Sequence, residues 1–227
     1  MVMGKDKLKR FAEISTFDNV FQPSVNNFKP SIDLKGKWNA VFNNSHPIII
    51  ELGCGKGEYT VGLAKNYSTI NFIGVDLKGS RIWRGAKTCI EENIENVRFI
   101  RTKVDFIDLF FLKNEVAEIW LTFSDPQPKK PRKRLTSPLF IDRYRKFLKK
   151  GGVIHLKTDS DLLYEYTLEQ IEEHQYKLIE NSNDVYNELI LRANPNLKLA
   201  MEIKTFYEKM WLKEGKKIKY LCFSIDQ

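Results

Sequence analysis

The sequence predicts an α/β fold with a mostly parallel central sheet and helices on both faces. Two patterns carry the prediction. From residue 46 onward, short β-branched runs alternate with longer amphipathic ones, and a glycine-rich turn stands between the first strong strand and the first helix. Length agrees, because 227 residues with no Gly/Ser-rich or Pro-rich linker suit one domain with a sizeable core.

Residues 1–45 mix Phe11, Phe17, Phe21 and Phe28 with polar and basic residues. They read as a basic, aromatic arm, partly mobile, that either packs on the domain or orders on RNA. Lys5, Lys7, Lys9 and Arg10 precede no apolar core, so this start does not have the form of a signal peptide. The domain proper is expected over residues 46–227.

Within it, residues 46–52 (HPIIIEL) form a buried strand, because isoleucines suit a strand covered on both faces. Residues 59–66 follow as a helix, 70–77 (INFIGVDL) as a second strand and 80–93 as a second helix. Further strands are expected at 96–101, 118–123 and 153–157, and a helix over 138–150 stopped by Gly151-Gly152. Residues 162–174 read as another helix and 217–225 (KIKYLCFSI) as a terminal strand. The stretch 181–209 has no clear period and is expected to cross the ligand face before a short helix.

A formal net charge of +8 favours an anionic partner such as nucleic acid. Cys54, Cys89 and Cys222 are scattered, without a C-x-x-C, and the three histidines are equally dispersed. This supports neither a disulfide framework nor zinc, and no protein-bound metal is expected. No apolar run reaches membrane-spanning length, so no membrane partner is expected and the cytoplasm is the default location.

Glu51-Leu52-Gly53-Cys54-Gly55-Lys56-Gly57 follows the first strand and opens a helix. Glycines there allow a tight turn and close approach of a ligand to the backbone. The spacing is not the dinucleotide fingerprint, which would need glycine at Glu58, nor a Walker loop, which would need Gly-Lys-Ser/Thr. What remains is acid-x-G-x-G-x-G, with Asp76 closing the next strand about 20 residues on, where a carboxylate can accept from both ribose hydroxyls of an adenosine. With these residues the chain resembles the class I S-adenosylmethionine-dependent methyltransferases, which implies that Rossmann-like fold and S-adenosyl-L-methionine as cofactor. The resemblance lays Gly53, Gly55 and Gly57 along the methionyl part and gives Asp76 the ribose. Glu51 either positions the amino-acid moiety or braces the turn. Asp105 is the candidate for the adenine amino group, although Lys103 stands where that acid would first be sought.

Asp125 ends the fourth strand of the domain, beside the glycine loop across the expected switch point of the sheet. Pro126 and Pro128 stiffen the loop that carries it. The Asn/Asp/Ser-Pro-Pro-aromatic motif of the adenine-N6 and cytosine-N4 methyltransferases is not present, because Gln127 and Pro128 occupy its last two places. Phe123-Ser124-Asp125-Pro126-Gln127-Pro128-Lys129-Lys130, followed by Arg132-Lys133-Arg134, is similar instead to the bacterial tRNA (guanine-N7)-methyltransferase family. That family has an F-[SP]-D-P-W-x-K-[KA] motif running into a basic segment. Lys157-Thr158-Asp159 and Thr205-Phe206-Tyr207-Glu208, the latter matching a T-x-x-E, extend the resemblance over nearly the whole chain. Gln127 replaces the usual tryptophan, and the basic segment is about two residues short of the form the family would lead one to expect.

The resemblance implies methyl transfer to N7 of guanine in tRNA, at guanosine 46 of the variable loop, with N7-methylguanosine and S-adenosylhomocysteine as products. It makes Asp125 catalytic and cofactor-facing, and makes Lys129, Asp159, Thr205 and Glu208 contacts to the tRNA. Lys130, Arg132, Lys133 and Arg134 would grip phosphates. Taken singly these residues have plainer readings: a solvated lysine for Lys129, a helix N-cap for Asp159, a capping box for Thr205 and Glu208. The competing functions are a class I methyltransferase for a small molecule or protein, and an inactive RNA-binding module of the same fold. The first gives no reason for cations beside the acid, and the intact glycine loop, Asp76 and Asp125 oppose the second.

Overall fold

The computed structural model describes residues 3–226; Met1, Val2 and Gln227, and the side chains of Lys5 and Lys7 counted above, lie outside the described residues. One sheet organises the chain. Its strands are β1 (Val20–Phe21), β2 (Ile48–Leu52), β3 (Asn71–Asp76), β4 (Val97–Arg101), β5 (Val116–Thr122), β6 (Leu148–Thr158), β7 (Lys177–Ser182) and β8 (Lys219–Ser224). They lie in the order β1-β4-β3-β2-β5-β6-β8-β7, with β8 antiparallel to both its neighbours and every other pairing parallel. Chain order reverses between β2 and β5, and the crevice where ligands collect in such sheets opens there.

Strand periodicity divides the core between the two faces. Ile48, Ile50, Leu52, Ile73 and Val75 belong to one apolar cluster, with Trp38, Phe110, Phe111, Phe140 and Tyr144. Ile49 and Phe72 belong to the other, with Tyr59, Leu63, Ile82, Ala86 and Met201. Helices α3 (Glu58–Ala64), α4 (Gly79–Glu91), α5 (Pro138–Tyr144) and α6 (Asp161–Glu173) supply much of this cover. They are preceded by α1 (Met3–Ile14) and α2 (Trp38–Phe42), and followed by α7 (Pro195–Glu202) and α8 (Phe206–Lys213).

Between the two readings of the N-terminal segment, packing contacts are plentiful. β1 pairs with β4, and Trp38 is buried, donates from Nε1 to the Phe110 carbonyl at 2.9 Å and stacks on Phe111 at 5.4 Å. Phe28, by contrast, is exposed.

Two expectations need correction. The helix predicted over 138–150 ends at Tyr144, and the chain is already in β6 at Leu148. Gly151 and Gly152 therefore sit inside a strand, where they form a bulge: the pairing with β5 jumps from Val116 opposite Leu148 to Glu118 opposite Val153. Gly151 has φ +75°, and a Cβ on Gly152 would lie 2.9 Å from the Ala117 carbonyl oxygen, so the glycines serve the bulge and not a helix stop. In the 181–209 stretch the expected single short helix is replaced by a helical segment over Val185–Leu189 and Ile190–Arg192, followed by α7 and then α8. The edge strand β7 before them was not anticipated, because its residues are mostly exposed and lack an apolar period.

Candidate active site

β2 runs directly into the glycine turn. Gly53, Gly55 and Gly57 have φ of +81°, +57° and +70°. A Cβ on Gly53 or Gly55 would meet nothing within 4 Å, so one side of the turn is an open cradle; on Gly57 it would strike the Phe99 ring at 2.8 Å. The first two glycines leave room for a ligand and the third lets α3 close on the sheet. Asp76 ties the turn to the end of β3, accepting from the Gly55 amide at 3.0 Å and the Lys78 amide at 2.7 Å. A carboxylate has about four acceptor positions, so two stay open for a diol.

Cavities open on both sides of this tie. A narrow one, about 90 Å³, is bounded by Glu51, the glycine turn, Thr122, Phe123 and residues 205–207. A broader groove, about 400 Å³, is lined by Leu77, Thr102, Lys103 and Phe106 together with Gln22 and Val25. Asp105 does not line that groove: it is paired with Lys133 at 2.7 Å, and Lys103 takes the groove position.

Glu51 is buried against α3 and β5. It accepts the Thr60 amide at 2.9 Å and the hydroxyls of Thr60 and Thr122. Burial pushes its carboxyl up to about 7, against the pull of those three bonds. These bonds brace the turn, and the same side chain reaches the narrow cavity.

The loop after β5 is held by its own backbone and by one distant arginine. Phe123 and Gln127 have φ of +50° and +45°, unusual for side-chain-bearing residues, on either side of Asp125. Asp125 is exposed, and its carboxylate accepts the Gln127 amide at 2.9 Å in an Asx turn. Arg134, expected on phosphate, is only 4% exposed. Its Nε donates to the Pro126 carbonyl at 2.8 Å and its guanidinium lies 4.3 Å over the Tyr166 ring, so it braces the Asp125 loop and cannot face RNA. Lys133 is engaged by Asp105, whereas Lys129, Lys130 and Arg132 are exposed, and among the described residues their side chains make no hydrogen bond or salt bridge.

The remaining candidates divide the same way. Asp159 is half-buried, 3.8 Å from the Lys216 ammonium, in a groove with Pro126 and Lys219. It does not cap α6; Ser160 does, accepting the Leu163 amide at 3.2 Å. Thr205 accepts the Glu208 amide at 3.2 Å in a capping box, with the Glu208 carboxylate returning to the Thr205 amide at 3.3 Å. Glu208 is wholly buried. Its carboxylate takes the Tyr186 hydroxyl at 2.6 Å and the Lys157 ammonium at 2.8 Å, so the expected direct contact to tRNA is closed to it. Lys157 and Tyr186 were given no role from sequence. A lysine ending an apolar strand was the available signal, because a buried cation demands a partner elsewhere in the chain. The described residues hold no group of three or more metal-ligating side chains, and no helix among them is long and apolar enough to cross a membrane.

A family model described as "Putative methyltransferase" matches residues 45–221. The tRNA (guanine-N(7)-)-methyltransferase of Bacteroides thetaiotaomicron is 47% identical over 99% of this chain and 88% of its own length. Those of Christiangramia forsetii (47%, 98% and 99%) and Listeria monocytogenes (37%, 99% and 96%) are similar to comparable extents. Among solved structures, the 16S rRNA methyltransferase KamB superposes with a TM-score of 0.65 at 12% identity, covering 90% of this chain and all of its own. An antibiotic-related methyltransferase gives 0.60 at 17%, covering 86% and 95%. These two bear on the fold alone, and that fold is the class I methyltransferase sheet. By its family match and the extent of its identity to these relatives, the chain belongs to the tRNA (guanine-N(7)-)-methyltransferase family.

Proposed function

We propose that this protein transfers a methyl group from S-adenosylmethionine to N7 of guanine in tRNA, at guanosine 46 of the variable loop. The observation that carries the reading is the pairing of two things on one loop: an exposed, backbone-fixed Asp125 two residues past Phe123, which lines the cavity of the glycine turn, and the outward cations Lys129, Lys130 and Arg132. The name shared by relatives at up to 47% identity supports it.

The residues present fit the cofactor, because the open side of Gly53 and Gly55 would be filled by any Cβ and Asp76 keeps acceptor positions for a ribose. S-adenosylmethionine, when bound, supplies an electrophilic methyl on a sulfonium. Guanine N7 carries an in-plane lone pair and no proton, so no strong general base is needed. Asp125 accepts hydrogen bonds from the N1 and N2 edge of the guanine and holds a negative field as positive charge develops on the purine. Lys129, Lys130 and Arg132 neutralise phosphates, and Asp159 and Thr205 border the substrate path.

The test is incubation of purified protein with labelled cofactor and unmodified tRNA, with N7-methylguanosine mapped by borohydride and aniline cleavage. Cleavage at position 46, and none in a transcript with adenosine there, is the expected result. Label incorporated at another base would overturn the site, and incorporation into no RNA would overturn the reaction.

A further inference from the structure

Lys157 lies near the end of β6, and its side chain is fully buried. Its ammonium donates to the carbonyls of Met201 at 3.0 Å and Ile203 at 3.1 Å, and lies 2.8 Å from a Glu208 carboxylate oxygen. Three protons meet three acceptors, so nothing remains to offer a substrate. The Tyr186 hydroxyl approaches the same carboxylate and the Met201 carbonyl, at 2.6 Å and 3.1 Å. All these bonds converge on residues 201–208, the end of α7, the first turn of α8 and the segment between them. This stretch carries Thr205, Phe206 and Tyr207 into the wall of the narrow cavity, where Glu58 accepts the Phe206 amide at 2.9 Å. At its other end Lys157 holds the opposite wall, its carbonyl accepting the Phe123 amide at 2.8 Å.

We propose that Lys157 is a positioning residue for methyl transfer, its ammonium fastening residues 201–208 as one wall of the cleft against Phe123, two residues before Asp125, on the other. The inference rests on the methyltransferase reading above. Stability alone is a poor reason for the arrangement, since apolar side chains of like volume often replace a buried ion pair without loss. What the pair supplies is direction, and a wall displaced by about 1 Å can slow a reaction about a hundredfold.

Lys157→Met alone would strand the Glu208 charge, so the informative variant is Lys157→Met with Glu208→Gln. Single-turnover transfer at saturating tRNA should fall about 30-fold or more while the tRNA Kd stays within about threefold of the parent's. Amide hydrogen exchange over residues 203–209 should quicken in the same variant. A folded double variant transferring at the parental rate overturns the proposal, as does a fall in rate matched by the fall in tRNA affinity, which would make Glu208 a direct contact. Where the double variant does not fold, Tyr186→Phe decides by the same readings, with a rate loss of about three- to tenfold expected and an unchanged rate overturning it. If the parent itself methylates no tRNA, the functional reading fails, and exchange over 203–209 still judges the fastening: unchanged exchange overturns it.

Discussion

Lys129, Lys130 and Arg132 stand beside Lys133 and Arg134 in one short basic run, yet the two groups do different things. The first three point outward with no side-chain hydrogen bond or salt bridge among the described residues. The last two are engaged by the domain: Lys133, still exposed, pairs with Asp105, and Arg134 is buried against the Pro126 carbonyl and the Tyr166 ring. Like charges in a row are thus not interchangeable. A 3-10 turn spans Pro131–Lys133, and directly after it Arg134 falls against the domain, where a carbonyl and an aromatic ring make burial tolerable. The same division runs through the whole site: Asp125 faces solvent, whereas Glu51, Lys157 and Glu208 are buried braces.

The sharpest way to break the comparison is at Asp125. Asp125→Ala should cost about 10²- to 10³-fold in turnover, with cofactor affinity and thermal midpoint little changed. Unaltered turnover would remove Asp125 from the chemistry and leave the outward group with binding alone. Next in size, alanine at Lys129, Lys130 and Arg132 together should flatten the log K against log salt slope for tRNA by about two to three units. Lys133→Ala serves as the paired control and should move the slope far less, because Asp105 already neutralises that cation; equal effects would erase the distinction.

Glu51 gives the inward group a pH signature. Its carboxyl, held near 7 when folded against an ordinary 4.5, keeps a proton that the unfolded chain has already released. Stability from this group is therefore present at low pH and declines as pH rises from about 4.5 to 7, by about 3 kcal/mol in the cofactor-free protein. Glu51→Gln should abolish that decline in urea unfolding measured from pH 5 to pH 8. Parallel profiles for variant and parent would mean that Glu51 is ionised in place. Smallest is Arg134→Ala, which should lower unfolding free energy by about 2 kcal/mol through its lost carbonyl bond and ring contact. Its tRNA salt slope should match the parent's. A flattened slope with unchanged stability would return Arg134 to the phosphate-binding group.

Much of the site was readable along the chain because strand ends and tight turns are local. Gly53, Gly55 and Gly57 announce positive φ by residue type, and Asp76 and Asp125 follow apolar runs long enough to be strands. Where local patterns mislead, a second chain segment is responsible. Gly151-Gly152 looks like a helix stop until β5 lies alongside and the pair becomes a bulge. The exposed face of β7 conceals a strand that only β8 defines.

The alternation of elements, the glycine turn, the two acids at strand ends and the T-x-x-E cap were determined by the sequence itself, since each depends on residues within a turn or two of one another. Tertiary structure alone decided which cations face outward, that Asp105 answers Lys133 and not the groove, and that Glu208 belongs to Lys157. Each outcome depends on separate segments meeting: the Asp105–Lys133 pair forms at the surface, whereas Lys157 and Glu208 meet in a low-dielectric interior, where a buried charge is tolerable only beside its partner.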